Sequence, residues 1–176
     1  EEVTLKSKKK ATQRSFIQTK NVFTVNSAEL LKAACCNLAE SFETNPSIDV
    51  NFSDALTGTR QIQMLGLKSP YLLITQENIP SIRGAGQVFG LTFTPGTWVE
   101  SIQITKGAGS VINGYESISG QINAELVKPL TDNRIFLNAY GSLGGRYELN
   151  SHLNHKISDK WQTGIYIHGN YRNKKF

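Results

Sequence analysis

Two cysteines, one methionine, two tryptophans, three histidines and five prolines are few for 176 residues. Each scarcity closes off a chemistry. Cys35 and Cys36 are neighbours, and neighbours cannot build a disulfide framework without a strained ring. They read first as small apolar core residues. A soft-metal site favouring Cu(I) would need Met64 as a third ligand, and no spaced Cys/His motif supports it. No resident metal or cofactor is therefore assigned. No stretch approaches the ~20 apolar residues of a spanning helix. With 39% hydrophobic and 19% charged residues, the chain is too apolar for disorder and too polar for a helical membrane protein. The opening Glu1-Glu2-Val3 lacks the make-up of a signal peptide. The ending, Tyr171 to Phe176, reads as an abrupt stop in a fragment.

The net charge of +5 is unevenly spread. Residues 1–20 hold six Lys/Arg against two acids, residues 21–130 six against nine, and residues 131–176 seven against three. The middle is acidic, which argues against a nucleic-acid partner, because such a binder carries its basic stripe on the folded body. Lys8-Lys9-Lys10 reads as a solvated, flexible arm.

Val22-Phe23-Thr24-Val25 has strand character. Asn26 or Ser27 can cap a following helix, with Glu29 in its first turn. Leu31, Cys35, Leu38 and Phe42 fall at i, i+4, i+7 and i+11, which predicts one helix over 27–43 with that stripe buried. Pro46 ends it. Beyond Ile48, short strands alternate with glycine. Candidates are 47–51, 60–64, the mostly apolar 71–75, 99–104 and 120–127, with loops at 83–87 and 94–97. Few helices among many strands make residues 21–128 an α+β unit.

After Pro129 the pattern changes. Ile135 to Tyr140, Tyr147 to Asn154 and Trp161 to Tyr171 alternate apolar and polar, with aromatics at the ends of the last segment. Segments near ten residues of this kind match transmembrane β-strands, and an ordinary antiparallel sheet with one wet face shows the same period. Odd positions are apolar in both of the last two segments, so facing residues must sum to an even number. A three-residue loop, Ser158-Asp159-Lys160, satisfies this and sets Ile157 opposite Trp161, His152 opposite Tyr166 and Asn150 opposite His168. Pairing of Ser158 with Trp161 would contradict it. His152 and His168 become diagonal neighbours on the polar face, with His155 on the other.

The segment Val99 to Lys128 is glycine-rich but poor as a nucleotide site. The third glycine of a dinucleotide fingerprint would stand at Ile112, and no Gly-Lys-Ser/Thr follows. A soluble glycine-rich nucleotide-binding enzyme is therefore a remote alternative. The histidines form no compelling catalytic set, and no enzymatic activity is assigned. The order of Val99-Glu100-x-Ile102, Gly107, Ser110, Gly114, Gly120-x-Ile122-Asn123 and Lys128 instead resembles the end of the plug domain of TonB-dependent outer-membrane receptors. Tyr115 follows Gly114 where the family has Tyr-Gly, and Gln121 replaces an aliphatic residue. Ile62 to Gly66 resembles the family's Ile-x-Ile-Arg-Gly strand with Leu65 for the arginine. Leu73 to Pro80 resembles its next strand without the Asp-Gly turn.

The resemblance implies an α+β plug, a small mixed sheet with short helices, followed by antiparallel transmembrane β-barrel strands cut off by the end of the chain. Residues 1–20 would be a periplasmic arm, 21–128 the plug, and 129–176 the first three barrel strands. Glu2, Val3, Thr4, Leu5 and Lys6 look like the box presented to TonB, which adds as a strand to a partner's sheet edge. Gly107, Ser110, Gly114, Gly120 and Asn123 would be structural motif positions. Leu67, Lys68, Ser69, Arg83, Gln87 and Phe89 are the expected ligand contacts. The implied setting is the outer membrane of a Gram-negative bacterium, with its lipid, TonB and the inner-membrane energising complex as partners. The implied task is energy-coupled uptake of a scarce ligand, first a ferric siderophore or other metal complex. A TonB-linked signalling receptor and a copper or glycan importer are the alternatives.

Overall fold

A computed structural model describes residues 12–14, 21–32, 37–42, 45, 48–52, 60–68, 70–88, 90–109, 111–130 and 133–173. Residues Leu72–Gln76 (β6) are buried from Leu72 to Thr75, so this strand has no wet face and belongs mid-sheet. It runs parallel to Gly120–Leu126 (β9), with Leu72 beside Gly120 and Ile74 beside Ile122. On the far side of β9 lies Val99–Lys106 (β8), antiparallel, with Ile102 and Ile104 fully buried. Asn21–Asn26 (β2) and Thr12–Arg14 (β1) extend that side, and Ile79–Ile82 (β7) closes the other. The resulting order is β1-β2-β8-β9-β6-β7. A second small sheet joins Asp49–Phe52 (β3), Arg60–Met64 (β4) and Leu67–Lys68 (β5).

The single helix expected over 27–43 is two. Ser27–Lys32 (α1) starts at Asn26, whose Oδ1 accepts from Glu29 N–H at 3.2 Å. Leu38–Ser41 (α2) starts anew at Asn37, which is extended and accepts from Glu40 N–H at 3.0 Å. An extended N-cap cannot sit inside one continuous helix. Leu38 N–H is also drawn to Thr94 O at 2.8 Å, which anchors the new start to a neighbouring loop. Leu38 and Phe42 are buried as the stripe required, and Leu30 joins them. Cys35 and Cys36 lie outside the described residues.

Two hairpins use left-handed residues that are not glycine. Leu65-Gly66 turns β4 into β5, and Glu77-Asn78 turns β6 into β7, with all four φ angles between 53° and 76°. The second stands where an Asp-Gly turn was missed in the sequence. Its cost, about 1–2 kcal/mol for each such residue, is offset by tethers: Asn78 N–H donates to Asn123 Oδ1 at 2.8 Å, and Leu126 N–H to Glu77 Oε1 at 2.7 Å.

The last three strands, Ile135–Gly141 (β10), Arg146–Lys156 (β11) and Gln162–Arg172 (β12), form a separate antiparallel sheet in chain order. Asn150 faces His168 and His152 faces Tyr166, the even-sum register expected. Ile157 N–H donates to Trp161 O at 3.0 Å. Ser158 and Trp161 nevertheless exchange both main-chain hydrogen bonds, Ser158 N–H to Trp161 O at 3.0 Å and Trp161 N–H to Ser158 O at 3.3 Å, so the loop is the two residues Asp159-Lys160 and the three-residue loop is corrected. Ile157 and Ser158 together oppose Trp161, and this bulge restores the even-sum register from Lys156 and Gln162 onward.

Candidate functional site

Two places on this framework carry functional side chains: the loops at one end of the mixed sheet, and the contact between that unit and the three-stranded sheet. At the loop end, β6 and β9 begin side by side. Ser119 donates to Tyr71 O through N–H at 3.0 Å and Oγ–H at 2.8 Å, which brings the glycine-rich segment against the start of β6. Arg83 and Glu116 pair at 2.8 Å and join the neighbouring loop to it.

The glycines of the motif are steric necessities here. A Cβ on Gly120 would collide with Thr105 O and Met64 Sδ, and Gly107 and Gly114 hold φ of +84° and +61°. Asn123 is buried and accepts from Thr75 Oγ1 at 2.9 Å as well as from Asn78 N–H, so it locks the β6–β7 turn to β9. Ser110 lies outside the described residues.

The expected ligand contacts divide. Leu67 and Lys68 are exposed on β5, and Arg83 is exposed though ion-paired. Gln87 is buried, and its amide donates to Leu72 O at 3.0 Å and Ile82 O at 3.2 Å. Through these bonds it braces the loop against the sheet. Ser69, Phe89 and the whole box Glu2 to Lys6 lie outside the described residues. Met64 is fully buried against Gly120 as part of the core, and the cysteines it would join lie outside the described residues. Among the described residues no three His, Cys, Asp or Glu gather as a metal site.

Sequence reasoning missed the apolar part of this end. Val111 and Ile112 are more than nine-tenths exposed, and Leu65, Tyr71, Tyr115 and Ile118 are exposed beside the same loops. Large apolar residues inside a glycine-rich loop segment were the available signal.

The second place is the face that β11 turns toward the mixed unit. Glu148, Asn150, His152 and Asn154 are all buried there, at 6% exposure or less, while Tyr147, Leu149 and Leu153 are exposed on the reverse. Charged groups bridge the two units. Arg146 Nε donates to Glu148 at 2.7 Å, and Arg146 Nη2 to both Glu40 oxygens at 3.3 Å. Arg60 on β4 lies 3.9 Å from Glu40. Tyr166 O–H donates to Val127 O at 3.0 Å, and its ring meets Trp98 edge-on at 6.0 Å. His152 stacks on Phe136 at 4.6 Å, and His168 Nδ1 lies 2.6 Å from Asn150 Oδ1, so each histidine has its own local partners.

Among the described residues, Glu77 is the carboxylate whose titration is displaced. The Lys128 side chain hydrogen-bonded to it, joined by Leu126 N–H, holds its carboxyl below the usual range against a smaller opposing effect of burial.

The family model described as the TonB-dependent receptor plug domain matches residues 14–121, more than half of the chain. The chain belongs to that family. Solved structures with the same fold include the ferric yersiniabactin uptake receptor FyuA from Yersinia pestis, at 16% identity and a TM-score of 0.69, covering 89% of this chain and 25% of that one. The ferric-catecholate import receptor Fiu from E. coli K12 matches at 18% identity and a TM-score of 0.69, covering 87% and 21%. The alcaligin receptor FauA from Bordetella pertussis matches at 16% and 0.66, covering 81% and 24%. This chain thus spans a quarter or less of the length of each. No curated protein matches the sequence significantly.

Proposed function

We propose that this chain is the plug and first wall strands of an outer-membrane TonB-dependent receptor of a Gram-negative bacterium. Its task is energy-coupled uptake of a scarce ligand, most simply a ferric siderophore or another metal complex. The observation that carries the reading is the inverted sheet β10–β12. On β11 the polar Glu148, Asn150, His152 and Asn154 are buried, the inward positions of β10 and β12 are half-buried, and apolar residues of all three strands face out, which suits a wall between a filled lumen and lipid. In this reading residues 1–20 are the periplasmic arm, 21–128 the plug and 129–176 the opening strands of a barrel.

No covalent step is required. Ligand settles on the exposed plug loops around Leu67, Lys68 and Arg83. TonB, driven by its inner-membrane complex, pairs with Glu2 to Lys6 by main-chain hydrogen bonds and pulls. The siderophore class is supported by the solved receptors with this fold, which serve ferric yersiniabactin, ferric catecholate and alcaligin. A signalling receptor would use the same plug, carry an additional domain before the box and transport little, whereas an importer of copper or glycans would differ in the ligand recovered.

The test is Val3→Pro in the whole receptor, which removes one backbone donor from the box. Ligand binding at the cell surface should persist while uptake of the labelled iron complex stops. Normal uptake in that variant would remove Glu2 to Lys6 from the coupling step.

A further inference from the structure

At one end of the three-stranded sheet, Pro129, Arg134, Asn154, His155 and Lys156 line a recess of about 360 Å³. Its floor is well pinned. Asn154 is buried, its N–H donates to Arg134 O at 2.8 Å, and its Nδ2 donates to Asn133 O at 2.8 Å. Its mouth is cationic. Arg134, His155 and Lys156 are exposed, and the Arg134 and His155 side chains have no ion pair or hydrogen bond among the described residues. Lys156 pairs with Asp159 at 2.7 Å, but both partners are open to solvent, so the pair is weak and exchangeable.

The surroundings of the recess are apolar. Ile135, Leu153, Ile157 and Trp161 stand exposed on the strands and the turn that frame it. An anion held here would therefore lie at the edge of an apolar face. A tryptophan and cations at the end of such strands mark the level at which headgroups lie. Both cations sit at strand ends, where long stems let the charged heads turn to that level. The Arg134 fork matches two phosphate oxygens at once, and Lys156 adds a point charge.

We propose that this recess binds the phosphate of a phospholipid, held by Arg134 and Lys156, with the acyl chains lying along Ile135, Ile157 and Trp161. The inference rests on the outer-membrane reading of the sheet. A dissolved phosphate would meet the same cations but make no use of the apolar frame, which is why the lipid is the favoured source.

The test uses the whole receptor purified in neutral detergent from the outer-membrane fraction. Thermal unfolding is followed with phosphatidylglycerol, inorganic phosphate or diacylglycerol at equal concentration, and native mass spectrometry counts retained lipid. Phosphatidylglycerol should raise the midpoint and stay bound. The R134Q/K156Q double variant should weaken it by roughly thirtyfold, and R134K/K156R by less, because the charges stay while the Arg134 fork is lost. Equal binding by R134Q/K156Q would overturn the site. Equal stabilisation by inorganic phosphate would overturn the lipid source, and by diacylglycerol would place the effect on the apolar face alone. A receptor absent from the outer-membrane fraction would instead overturn the membrane reading, before any lipid is added.

Discussion

Strands β8 and β11 obey the same period of two with opposite sign. In β8 Ile102 and Ile104 are buried while Glu100 is exposed and Ser101 and Gln103 are half-buried, and the central β6 and β9 are buried on both faces. In β11 the buried positions are Glu148, Asn150, His152 and Asn154, and Leu149 and Leu153 look outward. A sheet folded by water alone would not adopt the second arrangement, because it exposes apolar area at about 25 cal/mol per Å² and buries groups that must then be satisfied. In the proposed reading the medium outside β10–β12 is the variable that separates the two regions, and substitutions can test it.

The largest effect is expected in the plug core. Phe42 is buried beneath α2, so Phe42→Ala should destabilise the plug by about 3–5 kcal/mol. The loss should appear as earlier proteolytic cleavage of the plug in detergent and in membranes alike. Protection that recovers in membranes would mean that lipid supports the plug directly, and the contrast would fail.

Ile165→Arg probes the other region. On a lipid face it should cost about 2–4 kcal/mol near mid-depth, read as loss of folding into vesicles. On a wet face it should cost almost nothing. An Ile165→Arg variant that inserts as well as the parent would make β10–β12 an ordinary sheet.

Much of this contrast was legible in the sequence, because strand alternation is local. The register of β11 against β12 followed from which positions were apolar, and the Gly120 and Asn123 motif marked where β9 is crowded and stapled. The break between α1 and α2 was not legible in the stripe. Leu38 and Phe42 keep helical spacing inside the second helix, so periodicity continued across a cap at Asn37. Gln87 looked like an exposed loop residue, yet it is buried and its amide donates to the main-chain carbonyls of Leu72 and Ile82. The Glu40–Arg146 contact joins residues 106 apart, and only the packed chain brings them together.

That contact gives the next prediction. Glu148→Gln leaves Arg146 with Glu40 alone, and the weakened bond to a buried partner should cost about 1–3 kcal/mol. The loss should fall on the join between plug and strands, and cleavage of the α2 region should accelerate more than that of β8 and β9. Uniform acceleration would deny this cluster its bridging role.

The smallest effect belongs to Glu77, which sits in a left-handed turn and is strapped to Lys128 and Leu126 N–H. Its folded-state carboxyl titrates below the ordinary value of 4.5, so the folded state favours the charged form. The stability it contributes is present above the unfolded value and disappears as pH falls through the folded one. Glu77→Gln keeps an acceptor for Leu126 and removes the ion pair. The side chain is more than a third exposed, so solvent screens much of the attraction and the shift in midpoint should be slight. Thermal midpoints of parent and variant should differ most near neutral pH and converge once the solution is acid enough to protonate the parent. A gap that stays constant across that range would assign Glu77 to turn geometry alone. A gap that widens in acid would reverse the sign of the linkage and contradict the strap.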